Sequence, residues 1–482
     1  MSKKKVLLTG ASGSMGHAAF LELLKRRDEY DIVLLLVPSK KDRAAFRKYD
    51  VKIVWGDLTC YEDVLEAVDG VDFVLHPAAF ISPAADHDPR WAREVNYGGT
   101  VNVIDAIKAQ PNGGDRIRFV YISSVAVYGD RLPPIHRIRV GDPVVPSVYD
   151  FYATTKIAAE RAVIESGLRH WAVLRQTYIA IPDTMSLIDP IMFHQPINQC
   201  IELITDRDAG YGLARCLDVP DDFWGRIYNM GGGPSCRYVF LQDLERSMEL
   251  AGLGDYRQLM ERNWFALRNF HCGYFEDGHV LDEYLGHRRD TLADHRRRVR
   301  DALPWYVRLA RFAPKSWIKR YLKKMADPLI WNEKPEKYAG RITAFLGSRE
   351  AWTAIPGWDV DMPDLDVEGH LLDHGYTARQ DDDYSIDDVH EAARFRGGQC
   401  LSQGFVDMRT RLEWRCAFGH EFAASPTLIL LGGHWCPTCA APGWDYDQIA
   451  RANPFLAQVY YNTHAPDEDN CYPKAQCLAE IA

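Results

Sequence analysis

Short apolar runs alternate with helical patterns over the first 175 residues of the chain. Strand-like runs of this kind occupy residues 5–9, 32–37, 51–55, 71–75, 119–122 and 171–175. Near-continuous apolar runs are typical of parallel strands that are buried on both faces. Between the first two runs, residues 17–26 instead carry apolar side chains at helical spacing. This alternation predicts an α/β fold with a doubly wound parallel sheet between two layers of helices.

Length and composition indicate a globular protein with more than one domain. The chain has 482 residues, of which 47% are hydrophobic and 26% are charged. These values exclude a largely disordered or collagen-like chain and leave room for two or three domains. Residues 1–350 carry 49 basic and 46 acidic groups, whereas residues 351–482 carry 8 basic and 21 acidic groups. We expect no nucleic-acid partner, because phosphate affinity depends on clustered Lys and Arg.

The N-terminal segment carries no signal of export. Lys3, Lys4 and Lys5 lead directly into the first strand, without the longer apolar region and cleavage site of a signal peptide. No apolar run approaches the ~20 residues needed to cross a bilayer. We therefore expect a soluble, cytoplasmic protein. Five of the 11 cysteines lie between residues 416 and 477, and in a reducing compartment such clustering favours a metal site over disulfides.

A glycine-rich turn connects the first strand to the first helix. It contains Gly10, Gly13 and Gly16 at three-residue intervals. Backbone N–H groups at a helix N-terminus bind a pyrophosphate when no side chain blocks its approach. A strand before the turn and a helix after it are the context that this function requires. The turn therefore predicts a dinucleotide site formed by Thr9, Gly10, Ser12, Gly13, Ser14, Met15 and Gly16.

Further motifs follow the glycine turn in a fixed order. They are G-D-L at residues 56–58, H-P-A-A at residues 76–79, V-N-Y-G-G-T at residues 95–100 and S-S-V-A-V-Y-G at residues 123–129. Together they resemble the extended branch of the short-chain dehydrogenase/reductase superfamily, over about the first 300 residues. The resemblance implies a Rossmann-type fold with a small substrate-capping lobe. It also implies that the cofactor contacts Asp57, Leu58, Ala78, Ala79 and Asn96.

Tyr152 and Lys156 are separated by one helical turn. This spacing places both side chains on one face of a helix. A nearby cation lowers the pKa of a tyrosine from its ordinary value of about 10, which permits proton transfer near neutral pH. Ser124 stands upstream at the end of a strand. The resemblance implies that Tyr152 is the general acid/base, that Lys156 lowers its pKa and binds the nicotinamide ribose, and that Ser124 orients the substrate oxygen.

The end of the second strand bears on the choice between NAD and NADP. An NAD-dependent enzyme usually carries an acidic residue there, which holds the ribose 2′-hydroxyl. This chain has none, and Ser39, Lys40, Lys41 and Arg43 follow the strand instead. Ser39 and Lys40 are therefore predicted to contact a 2′-phosphate, which favours NADP. The alternative is that these residues form a solvated loop.

The predicted activity is reversible interconversion of a ketone and a secondary alcohol on a small organic substrate. Sugar-nucleotide enzymes of the extended branch usually have an Asn shortly after the Arg that corresponds to Arg175, and here Gln176, Thr177 and Tyr178 follow it. One alternative is an epimerase or dehydratase of a sugar-like substrate that retains NAD. An alternative of another class is a catalytically silent protein that senses nicotinamide state or serves as a scaffold.

The chain is predicted to divide into four segments. These are a cofactor-binding domain at residues 1–285 with a substrate lobe from roughly 180 to 285, a basic helical extension at 286–350, an acidic linker at 351–395 and a metal-binding module at 396–482. Residues 288–324 carry 13 Lys or Arg and three Asp. Three alternatives remain open for this basic stretch: packing on the body, docking of the acidic residues 381–383 and 387–388, or contact with an anionic membrane. Peripheral membrane contact is the least expected of these, and a homodimer is compatible with the sequence.

Two pairs of potential metal ligands lie in the last segment. Cys416 and His420 form C-x3-H, and Cys436 and Cys439 form C-x2-C after 15 intervening residues. At these spacings a tight turn presents two ligands to one tetrahedral ion. Three thiolates and one imidazole leave no position for a catalytic water. The module therefore resembles a zinc ribbon with a structural zinc ion.

Overall fold

The computed structural model describes residues 3–182, 190–326, 340–359, 369–377, 383–440, 443–470 and 472. Its strands are β1 (Lys4–Thr9), β2 (Tyr30–Leu36), β3 (Lys52–Trp55), β4 (Phe73–His76), β5 (Arg118–Ser124), β6 (Arg137–Ile138), β7 (His170–Gln176), β8 (Tyr178–Ala180), β9 (Cys200–Thr205), β10 (Arg226–Met230), β11 (Arg237–Val239), β12 (Tyr274–Phe275), β13 (Gln399–Cys400), β14 (Leu412–Arg415) and β15 (Glu421–Ala424).

The helices of the first half are α1 (Ser14–Leu24), α2 (Lys40–Phe46), α3 (Tyr61–Val68), α4 (Ala84–His87), α5 (Pro89–Arg93), α6 (Gly99–Ala109), α7 (Gly113–Arg116), α8 (Phe151–Ile164) and α9 (Asp206–Arg215). Those of the second half are α10 (Phe240–Leu250), α11 (Gly278–Leu285), α12 (Leu292–Ala302), α13 (Lys315–Ala326), α14 (Arg341–Leu346), α15 (Arg349–Thr353), α16 (Ile386–Phe395), α17 (Pro437–Ala440), α18 (Tyr446–Ala452) and α19 (Pro454–Tyr460). None of these helices is both long enough and apolar enough to span a bilayer, within the part of the chain that is described.

Seven strands form the main sheet, in the order β10-β7-β5-β4-β1-β2-β3. Every neighbouring pair in it is parallel. The chain runs outward from β1 to β3 on one side and continues from β4 on the other, so the strand order reverses between β1 and β4. In such sheets a ligand binds at the carboxyl ends of the strands where the order reverses. The predicted doubly wound α/β fold of Rossmann type is confirmed.

Helices cover both faces of this sheet, because its strands are apolar on both sides. One face packs against α1 and α9, with Phe20 and Leu213 in a shared core. The other packs against α3, α6 and α8, with Val64 and Val163 in a second core. The main sheet therefore lies between two buried layers of helices.

A second lobe is formed by segments that lie between and after the later strands of the main sheet. Its strands form a three-stranded sheet, in the order β11-β9-β8, and β12 pairs with β6. Its core extends from the Pro190–His194 turn through α10 to α13 and α14, where Leu322 and Phe345 are buried. The basic α13 therefore packs on this lobe through its apolar face.

The C-terminal part of the chain packs on both lobes. α16, β14 and the Thr427–Leu431 turn share the core on the α8 face of the main sheet. In contrast, Trp444, α18 and α19 join the core of the second lobe. Asp387 and Asp388 lie in the first turn of α16, where Asp388 forms a capping box with Ser385. Residues 381 and 382 of the acidic stretch are outside the described residues.

Candidate functional site

The glycine-rich turn lies at the carboxyl end of β1, where the strand order reverses. Gly10 has a φ of +62°, a conformation that L side chains rarely adopt. A Cβ on Gly16 would lie 2.1 Å from the Gly10 carbonyl oxygen, so no larger residue fits there. Gly13 is the N-cap of α1 and offers no capping side chain. The first N–H groups of α1 are therefore open to an anion, and the helix dipole favours one there.

A cleft of about 980 Å³ opens beside this turn and extends into the second lobe. The predicted site residues that line it are Gly10, Ser12, Gly13, Ser14, Met15, Gly16, Asp57, Leu58, Ala78, Ala79, Ser124, Tyr152 and Lys156. Residues at the ends of four strands, β1, β3, β4 and β5, thus meet in one space with two residues of α8. Gln176, Thr177 and Tyr178, which follow Arg175, line the same cleft.

Thr9 and Asn96 lie behind the cleft lining. The Thr9 hydroxyl is 2.8 Å from His76 Nδ1. Asn96 is buried, and its side chain accepts a hydrogen bond from the Phe80 N–H at 2.7 Å and donates to the Thr155 hydroxyl at 2.9 Å. Because Thr155 is on α8 and Phe80 lines the cleft, Asn96 joins α8 to the cleft wall.

Asp57, Ser39 and Lys40 differ in their surroundings. The Asp57 carboxylate accepts hydrogen bonds from the N–H and hydroxyl of Thr59, at 2.9 and 2.8 Å, which fixes its orientation in the cleft. Ser39 is the N-cap of α2 and accepts a hydrogen bond from the Asp42 N–H. Lys40 begins α2 and is exposed. Ser39 and Lys40 lie outside the cleft lining, at the edge nearest the end of β2.

The catalytic candidates meet at the start of α8. Asp150 caps this helix through the Ala153 N–H, and Tyr152 and Lys156 follow at one-turn spacing. The Lys156 ammonium donates to the Ile122 carbonyl at 2.5 Å. Burial lowers the pKa of Lys156 to about 7, and the carboxylate of Glu160 opposes this shift.

Burial has the opposite effect on the Tyr152 phenol. It raises the pKa of Tyr152, while the nearby Ser124 hydroxyl lowers it by hydrogen bonding. The phenol is therefore protonated at neutral pH, the form that donates a proton to a carbonyl oxygen. Ser124 itself is held by accepting a hydrogen bond from the Ala126 N–H at 3.2 Å.

One residue of this helix that the sequence analysis missed is Glu160, which lies one further turn along from Lys156. It is fully buried and paired with Arg175 at 2.5 Å. It also accepts a hydrogen bond from the Ser123 hydroxyl at 2.6 Å and is 2.9 Å from His434 Nε2. Burial would raise the pKa of Glu160, but Arg175 and His434 outweigh this effect and hold it well below its usual range. The four-residue spacing of Tyr152, Lys156 and Glu160 was the signal in the sequence, because it places the three side chains on one helix face. That spacing does not show which residues Glu160 pairs with.

The C-terminal part of the chain contacts α8 along its length. The Gly432 carbonyl accepts a hydrogen bond from Arg175 at 2.6 Å, and the Trp435 carbonyl accepts one from Arg161 at 3.2 Å. At the end of the helix, Glu165 accepts a hydrogen bond from the Ser425 hydroxyl at 2.6 Å. The segment that carries the predicted metal ligands is thus bonded to the helix that carries Tyr152.

The four predicted metal ligands form one cluster, which we call the Cys3His cluster. Cys416 and His420 flank the turn between β14 and β15, and Cys436 and Cys439 flank the start of α17. Their donor atoms all lie within 4.8 Å of one another, with Cys416 Sγ 3.7 Å from Cys439 Sγ. A tetrahedral ion with bonds of about 2.3 Å to sulfur requires sulfur–sulfur edges of about 3.7 Å. The donor set and its spacing therefore fit a tetrahedral metal ion.

Comparison with solved structures shows the same fold. The dTDP-glucose 4,6-dehydratase DesIV from Streptomyces venezuelae, in a crystal structure with NAD and TYD bound, superposes with a TM-score of 0.50 and 19% sequence identity. The similarity covers 63% of this chain and 96% of that one. At this identity the likeness concerns the fold alone.

Curated relatives share more of the sequence over a shorter stretch. A 3 beta-hydroxysteroid dehydrogenase/Delta 5-->4-isomerase from Mycobacterium tuberculosis (strain CDC 1551 / Oshkosh) is 29% identical over 171 residues, which are 33% of this chain and 42% of that protein. A 2-alkyl-3-oxoalkanoate reductase from Stenotrophomonas maltophilia (strain K279a) is 32% identical over 166 residues, 34% of this chain and 46% of that protein. The chain thus spans less than half the length of these relatives.

A family model matches the same region. Residues 6–174 match the NAD dependent epimerase/dehydratase family, and this range contains the glycine turn, Ser124, Tyr152 and Lys156. The relatives are named as dehydrogenases, reductases and epimerases, which supports the prediction of an enzyme. For residues 6–174, the match confirms the resemblance to this family that the sequence motifs indicated.

Proposed function

We propose that the protein is a nicotinamide-dependent oxidoreductase that interconverts a ketone and a secondary alcohol. The observation that carries this proposal is the presence of Ser124, Tyr152 and Lys156 in the same cleft as the glycine turn. Gly10 and Gly16 permit the tight turn that leaves the first N–H groups of α1 open to a pyrophosphate, because a Cβ would lie 2.8 Å from Ala78 Cα at Gly10 and 2.1 Å from the Gly10 oxygen at Gly16.

Each of the three candidate catalytic residues in the cleft has a distinct role in carbonyl reduction. When bound, a nicotinamide cofactor supplies the hydride in reduction and accepts it in oxidation. Tyr152 donates its proton to the substrate oxygen during reduction and takes it back during oxidation. Ser124 donates a hydrogen bond to the same oxygen, and protonated Lys156 stabilises the phenolate left on Tyr152. The apolar wall of the second lobe excludes water from the reacting carbon.

Substitution of Tyr152 tests this assignment. With a panel of ketones and alcohols, and nicotinamide absorbance as the readout, Tyr152→Phe should lower kcat by roughly 10²- to 10⁴-fold while cofactor binding is retained. Tyr61→Phe, on the outer helix α3, is the matched control and should leave kcat unchanged. Full activity of Tyr152→Phe would remove Tyr152 from the mechanism. A wild-type protein that binds cofactor but turns over nothing in the panel would favour the silent sensor or scaffold.

For the cofactor we propose NADP ahead of NAD. Val37 lines the cleft at the end of β2, no carboxylate follows it, and Lys40 is exposed at that edge. Lys40→Glu should raise the KM for NADPH by roughly tenfold and leave that for NADH little changed, since a charged contact to phosphate is lost. Lys48→Glu, at an exposed position in the turn after α2, is the control. Equal KM values for both cofactors, unmoved by Lys40→Glu, would contradict the preference.

A dehydratase or epimerase is the second candidate function. His271 lines the cleft, and its Nδ1 is 2.7 Å from the Asp150 carboxylate. Elimination of water needs a second acid/base besides Tyr152, and a carboxylate-bound imidazole supplies one. A dehydratase or epimerase of this kind keeps its cofactor through gel filtration, whereas a dehydrogenase exchanges it freely. If the protein is a dehydratase or epimerase of this kind, His271→Ala should abolish turnover. If it is a dehydrogenase, the variant should still transfer hydride from added cofactor.

We also propose that the Cys3His cluster binds a structural zinc ion. Its four donors fill a tetrahedral shell, so the ion has no open position for catalysis. Plasma mass spectrometry of protein purified without chelator should find about one zinc per chain. Cys436→Ser should lower that content, whereas Cys60→Ser on α3 should not. Less than about half an equivalent in the wild type would overturn the proposal.

A further inference from the structure

An exposed aromatic and basic segment follows α12. Residues 303–324, which follow α12, contain seven Lys or Arg and no Asp or Glu, a net charge of +7. Among the described residues of this stretch, large apolar and aromatic side chains are between 50% and 76% exposed at Trp305, Tyr306, Leu309, Phe312, Trp317 and Tyr321. We call these side chains, with the exposed Lys and Arg among them, the aromatic-basic surface. Folded proteins that leave such side chains in water generally use them for binding.

Helix α13 shows that these aromatics are not needed for packing. On its inner face, Leu322 is fully buried and Ile318 packs against the same core of the second lobe. On its outer face, Trp317 and Tyr321 are one turn apart and point to solvent. The inner face already attaches the helix to the protein, so the outer face is available to a partner.

The charges on this surface are available too. Arg320, Lys323 and Lys324 are exposed, and none of them pairs with another residue in the described ranges. Lys319 and Lys315 are different, since Lys319 pairs with Glu261 and Lys315 donates a hydrogen bond to the Gln258 side chain. Unpaired Lys and Arg beside aromatic rings give a surface that is complementary to a partner both negatively charged and apolar.

The aromatic-basic surface adjoins the substrate end of the cleft. Arg296 and Val299 of α12, the helix just before it, line the cleft. α13 lies against the Pro190–His194 turn, whose Ile191 and Met192 also line it. The exposed aromatic side chains are therefore carried by α13 and the segment before it, which adjoin the elements of the cleft wall, while the described residues 303–326 lie outside the cleft lining.

Apolar side chains form a large part of the cleft lining on the side of the second lobe. They include Ile191, Met192, Leu244, Leu250, Phe270 and Val299, while Asp243, Arg246, Ser247, His271, His295 and Arg296 supply polar positions in the same lining. Burial against the apolar part stabilises an apolar ligand, and the polar positions offer hydrogen-bond partners to a polar group on it. The lining therefore suits a largely apolar molecule that carries a polar group, the kind of molecule that is concentrated in lipid.

We propose that the aromatic-basic surface binds the anionic face of a lipid bilayer and that the cleft takes an apolar ketone or alcohol from it. Trp and Tyr are favoured at the headgroup level, and Lys and Arg are attracted by anionic lipids. Single-stranded nucleic acid also binds aromatics and cations, but an apolar cleft beside the surface favours lipid. The substrate class rests on the proposed oxidoreductase function, whereas the bilayer contact does not.

Vesicle flotation of the full chain tests the contact. The protein is mixed either with vesicles of pure phosphatidylcholine or with phosphatidylcholine vesicles that contain about 30% phosphatidylserine. Each mixture is then centrifuged through a density step at physiological salt. We expect flotation with the anionic vesicles only, because neutral lipid offers no partner for the cations. Absence from the floated fraction, or equal binding to both vesicles, would overturn the proposal.

Two double variants separate the charged and aromatic contributions. Lys323→Ala with Lys324→Ala should weaken binding on the order of thirtyfold, at about 1 kcal/mol per cation near an anionic surface. Trp317→Ala with Tyr321→Ala should weaken it at least as much, and these exposed positions should leave the circular dichroism unchanged. The control is Lys48→Ala with Lys108→Ala, which should bind as the wild type does; both side chains are exposed, Lys48 in the turn after α2 and Lys108 on α6.

Other partners give different results. A complex with a single-stranded oligonucleotide without flotation would assign the surface to nucleic acid and overturn the proposal. A dimer that the aromatic variant splits, again without flotation, would make the surface a subunit interface and also overturn it. Flotation with turnover of short, water-soluble ketones but not of long-chain ketones held in vesicles would retain the bilayer contact and refute the substrate class. Flotation without any turnover would retain the contact and count against the oxidoreductase function alone.

Discussion

Replacement of Glu160 by Gln removes the charge at the centre of a buried network. Glu160 pairs with Arg175 at 2.5 Å, and neither side chain is exposed. Gln keeps the shape of Glu and one carbonyl oxygen, so the hydrogen bond from Ser123 is retained in part. Arg175 is then left as a buried cation without its counter-charge.

The expected cost follows from two independent magnitudes. Removal of one partner from a buried ion pair costs about 3–5 kcal/mol. Coulomb attraction between unit charges 4 Å apart gives ~4 kcal/mol at an effective dielectric constant near 20. We therefore expect Glu160→Gln to lower the free energy of unfolding by about 3–5 kcal/mol. Glu66→Gln, at an exposed position of α3, is the matched control and should change it by less than about 0.5 kcal/mol.

Urea unfolding followed by circular dichroism and tryptophan fluorescence measures this difference. The pKa of Glu160 is held below its usual range, so the stabilisation is present above the unfolded pKa of about 4.3 and is lost as the pH falls. The gap between wild type and variant should begin to shrink below about pH 4. It should not shrink between pH 8 and 6, because Lys156, whose pKa is about 7, becomes protonated there and is stabilised by the charge of Glu160 only in the wild type. A cost no larger than that of Glu66→Gln, or a gap that shrinks between pH 8 and 6, would refute the reasoning.

Three further predictions concern the glycine turn, an acidic residue and the metal. Gly16→Ala should lower the melting temperature, because its Cβ would lie 2.1 Å from the Gly10 oxygen, whereas Gly13→Ala, with 3.5 Å to the same oxygen, should keep the fold and weaken cofactor binding in titrations. Similar melting temperatures for both variants would contradict this. Burial and the charge of Asp150 raise the pKa of Asp86 to about 6. The folded state then binds more protons than the unfolded state between about pH 4 and 6, so stability should fall as the pH rises through that range, and Asp86→Asn should remove the fall. Chelation of metal at the Cys3His cluster should lower the melting temperature and speed proteolysis of the C-terminal part, and a chelator without either effect would exclude a stabilising ion.

Local patterns predicted the fold and the cleft residues. The strand, glycine turn and helix at residues 5–26 form one local unit, since the tight approach of Gly16 to Gly10 involves residues close in sequence. The spacing of Tyr152 and Lys156 places them on one helix face for the same reason. Parallel strands bring their carboxyl ends to one edge, so motifs that follow separate strands were expected to meet. The assignment of these residues to catalysis and cofactor binding remains a prediction.

Only the tertiary structure decided which distant residues pair. Glu160 and His434 are 274 residues apart, and periodicity carries no information about such a contact. The sequence predicted a separate metal-binding module, whereas the structure shows its residues bonded to α8 and packed on both lobes. Likewise, both faces of α13 contain apolar residues, so the sequence left open which face packs.

The chain by itself thus determined the main elements, their order and most of the residues that line the cleft, because these depend on spacing along the backbone. The structure decided that Leu322 is buried while Trp317 and Tyr321 remain exposed, and that a buried carboxylate joins the C-terminal segment to α8. Both results depend on which surfaces pack against one another and are thereby removed from water. That property belongs to the packed molecule, since the free energy of burying a side chain is set by all the elements around it.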